Sequence, residues 1–228
     1  MGTLASNRKG FIVGASSGSY SAALNGTTGT ANDSATGTQN AIQYYKSTGR
    51  GGGTYRFIRT FIHFDTSGIT GGSSFQLQLT SAGANGSPSS LSNTTAIKHT
   101  AGSSNGGELA NADFNNIDRN TAYSSATTFG SSGTVTFTLN ATAANQIINN
   151  NDFNVALLLS HDAAEEEEDM LESSGDVTNQ INFASAINLT YTDPVSGYTH
   201  KINSLAAASI GKVNTVATAS VGKVNTVD

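Results

Sequence analysis

Residues 55–69 (YRFIRTFIHFDTSGI) most constrain the fold of this chain, because they form its longest run of bulky apolar and β-branched residues. Apolar residues recur at alternate positions, which indicates a long β-strand with two distinct faces. The turn-forming sequence Asp65-Thr66-Ser67-Gly68 ends the strand. We therefore predict a central strand on which later strands pair. One face would present Ile58, Thr60, Ile62 and Phe64, and the other a mixed set of Phe57, Arg59, Phe61, His63 and Asp65.

Shorter segments with the same alternation follow along the chain and are separated by clusters of Gly, Ser, Thr and Asn. This pattern is typical of a β-sandwich. Residues 141–150 are Ala-rich and predict one short helix. Residues 15–40 are predicted to form a long loop, or a loop with one edge strand near 19–24. Residues 110–128 are predicted to form loops that cross one end of a sheet. The predicted strands are 10–14, 41–46, 75–80, 94–99, 134–140, 153–160 and a final strand pair within 181–192.

The composition excludes several classes of function. The net charge is −5 and the isoelectric point about 5.2, so no nucleic-acid-binding surface is expected. No apolar run approaches the roughly 18 residues of a membrane span, so no membrane insertion is expected. The surface must consist mainly of Ser, Thr, Asn and Gly, a texture common in extracellular and virion β-proteins. Because the first residues lack the apolar region of a signal peptide, release by host lysis is the expected exit route.

Three stretches resemble one family of domains. Residues 59–69 fit the pattern R-x-F-[LI]-x-F-D-x-S-x-I through Arg59, Phe61, Phe64 and Asp65, and the strand 75–79 follows. The helix and strand of 146–159 and the strand 187–192 complete the likeness. Together they resemble jelly-roll domains related to DNRLRE-type surface modules. Such domains occur in structural proteins of tailed, particularly marine, bacteriophages and in carbohydrate-binding surface proteins. The resemblance implies an all-β jelly-roll β-sandwich with one short helix.

The C-terminal residues form an 11-residue repeat, marked by Lys201, Lys212 and Lys223. Similar IGKVN-type tails are found at the ends of marine phage structural proteins, which strengthens the resemblance. As a helix, the repeat would have hendecad spacing and an apolar arc of roughly 160°. As β-structure, its Gly-Lys and Asn-Thr pairs would be turns of a small solenoid or of strands shared between chains. A disordered tail is the third alternative. The apolar positions are Ile202, Leu205, Ile210, Val213, Val216, Val221, Val224 and Val227.

These features divide the chain into four parts: an N-terminal arm (1–9), the jelly-roll sandwich (10–193), a linker (194–198) and a tail that oligomerises or anchors the protein (199–228). The apolar face of the tail is too short to bury itself. We expect it to pack against other copies of the chain, most simply in a trimer, or against a neighbouring particle protein.

Few residues suggest a chemical site. The acidic segment 162–169 (DAAEEEED) has two interpretations: a solvated loop, or a calcium site built from Asp162, Glu165 and Glu166. The adjacent Ser160, His161 and Asp162 cannot form a catalytic relay on one strand, because neighbouring side chains point to opposite faces. The remaining histidines, at 63, 99 and 200, are scattered, and surface or interface positions are expected for them. The sequence implies no cofactor.

Two tyrosines offer a second kind of site. The rings of Tyr44 and Tyr45 could stack on a sugar, although core or inter-subunit packing is the commoner use of tyrosine in a β-sandwich. The sequence therefore favours a non-catalytic virion structural protein: a capsid decoration (cement) protein or a head or tail fibre component. A carbohydrate-binding module that recognises host-surface or matrix polysaccharide is the alternative. A polysaccharide depolymerase ranks third, because paired carboxylates outside the acidic segment are sparse.

Overall fold

The computed structural model describes residues 1–33, 39–47, 53–85, 93–101, 107–128, 132–165 and 177–194, together with the backbone of 212–213 and 216–217. The chain divides into two units, Met1–Thr192 and Asp193–Asp228. The helices of the first unit are α1 (Tyr20–Leu24), α2 (Ala141–Asn149), α3 (Ser160–Ala164) and a 3-10 helix (Asn111–Asn115). Its strands, β1 to β12 in chain order, are Gly2–Ala5, Arg8–Gly14, Gly29–Asp33, Gln39–Ser47, Thr54–Asp65, Ser73–Asn85, Asn93–His99, Ile117–Ala122, Thr127–Thr128, Gly133–Thr138, Asp152–Leu159 and Val177–Thr192.

The order of the paired strands identifies the first unit as a jelly roll. The path runs β10-β6-β12-β4-β5-β11-β7-β8, and every neighbouring pair is antiparallel. Numbered by chain order among these eight strands, the two halves read 6-3-8-1 and 2-7-4-5. This is the double Greek-key arrangement of a jelly roll, in which the pairing of β4 with β5 joins the two sheets. One apolar core contains residues from both halves. The jelly-roll β-sandwich expected from the sequence is confirmed.

Strand β5 is central, as predicted, and pairs with β4, β11 and β2. It is buried on both faces over residues 57–64. The face predicted to be mixed is covered by α1 and by the 3-10 helix. The ring of Tyr20 packs edge-on against Phe57 at 5.6 Å, and the ring of Phe114 lies over the Arg59 guanidinium. The alternation therefore located the strand and its end at Asp65, and the mixed face is interior because helices cover it.

Strand β12 corrects the prediction of a final strand pair, because it is a single strand of 16 residues. It pairs with β6 along most of its length, and its register changes at three points: between Asn182 and Phe183, between Phe183 and Ile187, and between Thr190 and Thr192. Asn182 and Phe183 face Gly83 and Ser81, so β6 has one extra residue at the first of these points. Gly83 has a φ of +128°, a conformation that suits a glycine at a β-bulge. Bulges of this kind bend a long strand without ending it.

The one predicted helix is present, and a second helix lies where none was predicted. Helix α2 begins where the sequence predicted, because Asn140 caps it by accepting a hydrogen bond from the amide of Ala143 at 3.0 Å. Residues 19–24 were predicted as a loop or an edge strand, and this was wrong. They form α1, which is capped by Ser19 and buries Tyr20 and Leu24. A helix of 5 residues has too few positions to show a helical period in the sequence.

The N-terminal residues are not a separate arm, which corrects the predicted boundary at residue 10. Strand β1 pairs antiparallel with the second half of β12, from Gly2 opposite Tyr191 to Ala5 opposite Asn188. The polar strands β3 and β8 were also missed, because neither has the apolar alternation on which the predictions relied. The end of the unit at Thr192 lies one residue before the predicted boundary.

The second unit contains the whole repeat, 201–228, and the structure describes two short strands of it. Strand β13 (Lys212–Val213) pairs antiparallel with β14 (Val216–Ala217), and Val213 lies directly opposite Val216. These residues are extended, so the helical interpretation is wrong at this point and the β-structure alternative holds for it. The other apolar tail positions, Ile202, Leu205, Ile210, Val221, Val224 and Val227, lie outside the described residues.

Candidate functional site

Arg59, the first residue of the family-like motif, is completely buried and has all of its donors paired. Its Nε and Nη2 donate to the carboxylate of Asp162, each at 2.8 Å. Nη2 also donates to the carbonyl of Leu24 at 2.6 Å. Nη1 donates to the carbonyl of Phe114 at 2.9 Å and to the side chain of Asn115 at 3.1 Å. Five N–H groups thus meet five acceptors, on α1, α3 and the 3-10 helix.

The electrostatics of this cluster fit a structural role. Burial lowers the pKa of the Arg59 guanidinium, and the carboxylate of Asp162 opposes that shift. The ring of Phe114 covers the guanidinium, with its centroid 4.0 Å from Cζ. A second arginine, Arg119, donates from Nη2 to Asp162 Oδ1 at 3.0 Å and from Nε to the Asp162 carbonyl at 3.0 Å. The carboxylate of Asp162 therefore faces the positive charges of two arginines. Through Arg59, the cluster holds α1, α3 and the 3-10 helix on β5.

The pairing of Asp162 with two arginines argues against the calcium site predicted from the acidic segment. The side chain of Asp162 is only 2% exposed, and arginines occupy both of its oxygens. Glu165 is 54% exposed and lies 3.4 Å from Arg119 Nη1, and Glu166 lies outside the described residues. Among the described residues, no three His, Cys, Asp or Glu side chains are grouped so that they could hold a metal ion. Asp162 is an ion-pair partner in this structure and does not face an open cation site.

The other motif residues also serve the fold. The side chains of Phe61 and Phe64 are fully buried in the core. Asp65 is exposed at the end of β5, where its Oδ1 accepts the amide hydrogen of Ser67 at 3.0 Å. Hydrogen bonding with Ser67 lowers the pKa of the Asp65 carboxyl. The motif therefore encodes a buried strand and the turn that ends it.

The two tyrosines proposed as glycan contacts are not a stacking platform. Tyr44 is fully buried, which corrects its assignment as a glycan contact. Its ring packs against Phe57 at 5.4 Å and against the imidazole of His161 at 5.0 Å. Tyr45, on the opposite face of β4, is partly buried, and the guanidinium of Arg56 lies 5.1 Å from its ring centroid. The core-packing alternative holds for Tyr44, and Tyr45 has a cation over one face of its ring.

His63 and His99 are buried inside the jelly roll, so the expectation of surface or interface positions was wrong for them. His63 contacts Asn7 Oδ1 through Nδ1 and Asp152 Oδ1 through Nε2, both at 2.6 Å, and thereby joins the N-terminal segment to β11. His99 contacts the carbonyl of Ile62 through Nε2 at 3.0 Å. Burial lowers the pKa of His99 to about 4. Both rings thus connect separate strands.

Ser160, His161 and Asp162 are the first residues of α3, directly after β11, and they have separate partners. The hydroxyl of Ser160 contacts the hydroxyl of Thr95 at 3.1 Å. His161 packs on Tyr44, and burial lowers its pKa. Because Asp162 pairs with the two arginines, Ser160, His161 and Asp162 do not form a catalytic triad. His200 lies outside the described residues.

A cavity of about 480 Å³, which sequence reasoning did not locate, lies beside the edge strand β10. The segment that follows β8 forms one wall, and β10 with its link to α2 forms the other. Its apolar lining residue is Leu139. The remaining lining residues carry neutral hydroxyl or amide groups, and they are Ser124, Ser125, Thr127, Thr136, Thr138 and Asn140.

No family model matches this sequence, and a search of curated proteins found no match. Among the described residues, no helix has the length and apolar character needed to cross a membrane. The resemblance to bacteriophage jelly-roll modules therefore stays a prediction that rests on the motif residues at 59–69.

Proposed function

We propose that this protein is a non-catalytic structural component of a tailed-bacteriophage virion, acting as a capsid decoration (cement) protein or as part of a head or tail fibre. The observation that carries the proposal is the division of the chain into a jelly-roll unit, Met1–Thr192, and a repeat-bearing unit, Asp193–Asp228. The first unit would be the rigid body. The second would connect that body to its neighbours.

The buried polar groups of the jelly roll support a structural role. The pairs Arg59–Asp162 and His63–Asp152 each join segments that are distant in the chain. The buried Arg59–Asp162 pair holds α1, α3 and the 3-10 helix on β5, and the His63–Asp152 contact joins β5 to β11. A module that resists deformation suits a particle surface, whereas an enzyme needs titratable groups that reach a substrate.

The tail supplies the assembly step in this proposal. Its described residues form antiparallel strands, β13 and β14. A ladder of two residues on each strand is too short to be stable by itself in water, because even longer isolated hairpins are marginal, so β13 and β14 need further pairing from the rest of the tail or from another chain. Unpaired strand edges recruit further strands. We propose that the tail repeats pair with those of other copies, giving a trimer, or with another virion protein.

The proposed location follows from the proposed role. The protein would be made in the host cytoplasm, incorporated into particles and released by lysis.

Binding to a host-surface glycan is the alternative function. The positions of Tyr44 and Tyr45 give it no support, and the neutral cavity beside β10 is considered separately below.

Mass spectrometry of gradient-purified particles tests the virion role. Particles from a lysate whose phage genome encodes this sequence should contain the protein in a fixed ratio to the major capsid protein. Its absence from particles in which the capsid protein is readily detected would overturn the proposal. So would cleavage of a polysaccharide by the purified protein, since that result would establish an enzyme.

A further inference from the structure

We propose that the cavity beside β10 binds a neutral polyhydroxylated ligand, namely a sugar residue of a glycan. This inference goes beyond the assembly role and does not depend on it. It also differs from the tyrosine hypothesis, because the cavity contains no aromatic ring.

The chemistry of the lining identifies the class of ligand. Six of the seven lining residues offer hydroxyl or amide groups, and none of the seven is charged. Hydroxyl and amide groups both donate and accept hydrogen bonds, as sugar hydroxyls do. A phosphate, sulfate or carboxylate ligand would instead be matched by arginine, lysine or clustered amides. Leu139 supplies the small apolar area that the C–H face of a sugar needs.

The size of the cavity and the state of its hydroxyls fit the same ligand. About 480 Å³ lies within the range of small-molecule sites, roughly 300–1,000 Å³. Thr136 and Thr138 lie on one side of β10, alternating with the buried residues Val135 and Phe137. Thr138 and Ser125 are exposed, so a ligand in the cavity can reach their side chains.

The walls of the cavity are fixed by hydrogen bonds within the fold. Ser124 and Leu139 form a β-bridge across it. The Oγ of Ser124 accepts the amide hydrogen of Ala96 at 3.2 Å, and the Nδ2 of Asn140 donates to the carbonyl of Ala122 at 2.8 Å. The bridge and the Asn140–Ala122 bond hold the two walls together before any ligand arrives, and the Ser124–Ala96 bond fixes one wall to β7. A preformed site loses less entropy on binding, which is what a weakly interacting neutral ligand requires.

Binding of neutral oligosaccharides to the full chain tests the proposal. Cellohexaose, maltohexaose and laminarihexaose are the probes, polygalacturonate is the anionic comparison, and saturation-transfer NMR with calorimetry is the measurement. We expect at least one neutral probe to bind and polygalacturonate to bind more weakly. We also expect shifts in the amide signals of residues 124–127 and 136–140.

Three variants locate the site. Thr136→Val and Thr138→Val remove a hydroxyl but keep the shape and strand preference of the residue, and each should weaken binding at least about fivefold. Thr134→Val is the matched control, because Thr134 is exposed on the same side of the same strand but does not line the cavity. Thermal melting verifies that all three variants fold.

Several results would overturn the proposal. They are no binding by any neutral probe, preference for polygalacturonate, binding that neither cavity variant weakens, and equal weakening by Thr134→Val. None of these results bears on assembly through the tail, so the virion role is tested separately.

Discussion

Asp162 accepts hydrogen bonds from Nε and Nη2 of Arg59, each at 2.8 Å, across a separation of 103 residues. The pair joins strand β5 to the short helix that follows β11. It is almost completely buried, with 0% and 2% of the two side chains exposed. Because a buried charge without its partner is costly, this pair is where the stability of the jelly roll should respond most strongly to a single substitution.

Replacing Asp162 with asparagine should destabilise the protein by about 3–5 kcal/mol, because Arg59 would remain buried without a counter-charge. Urea unfolding followed by circular dichroism measures the loss. The control is Glu165→Gln, which removes a charge on the same segment from a residue that is 54% exposed. We expect that change to be within about 0.5 kcal/mol of wild type. Equal effects of the two substitutions would contradict a structural role for Asp162.

Stability should fall as the solution is acidified below neutral pH. His99 has its pKa lowered from 6.5 to about 4 by burial, so between these values the unfolded state binds the proton more readily than the folded state. The contribution of neutral His99 is complete above about pH 6.5 and is lost progressively toward pH 4. The free energy of unfolding falls by about 3 kcal/mol over this range. Burial lowers the pKa of His161 as well, which acts in the same direction.

Urea unfolding of wild type and His99→Gln from pH 7 to pH 4 isolates this contribution. The variant should be less stable at pH 7, and its stability should vary less with pH, since glutamine does not titrate. An unchanged slope in the variant would assign the acid sensitivity to other groups.

Gly14 should tolerate no side chain. A Cβ at this position would lie 2.5 Å from the Cζ of Phe114, whose ring covers Arg59. Gly14→Ala should therefore displace the ring and destabilise the protein by about 1–3 kcal/mol. Gly68→Ala is the control, because nothing lies within 4 Å of the Cβ position at Gly68. Thermal melting of both variants compares them, and a stable Gly14→Ala protein would show that Phe114 is not held against β2.

The two neighbouring tyrosines should differ in their effect on stability. Tyr44→Ala removes a fully buried ring and should cost about 3–5 kcal/mol, as aromatic truncations in cores do. Tyr45→Ala removes a partly buried ring and a contact with Arg56, and should cost about 1 kcal/mol. Urea unfolding measures both. A small effect of Tyr44→Ala would contradict its place in the core.

The parts of the fold that the sequence revealed are those with local signals. The alternation in β5 and the Asp65 turn located the central strand, and Asn140 with its following alanines located α2. Strands β3 and β8 were missed because their residues are polar. Helix α1 was missed because it is a single short turn in a Ser-rich segment. In each case the element is defined by what packs on it and not by its own pattern.

The residues of the candidate sites were harder to predict for the same reason. The motif indicated that Arg59 is special, but its partner Asp162 is distant in the chain and lies at the start of an acidic run that suggested a metal site. The cavity residues Thr136 and Thr138 look like the solvent face of an ordinary strand. Only the tertiary structure places Ser124 and Ser125 beside them.

Light scattering on a sizing column tests the central claim, assembly through the repeat tail, most directly. The full chain and a chain that ends at Asp193 are compared at the same concentration, and circular dichroism verifies that the shorter chain keeps its β-structure. The account predicts an oligomer, with the mass of a trimer, for the full chain and a monomer for the shorter one. If the two chains have the same oligomeric state, whether monomeric or oligomeric, the tail is not the assembly device and the account is contradicted.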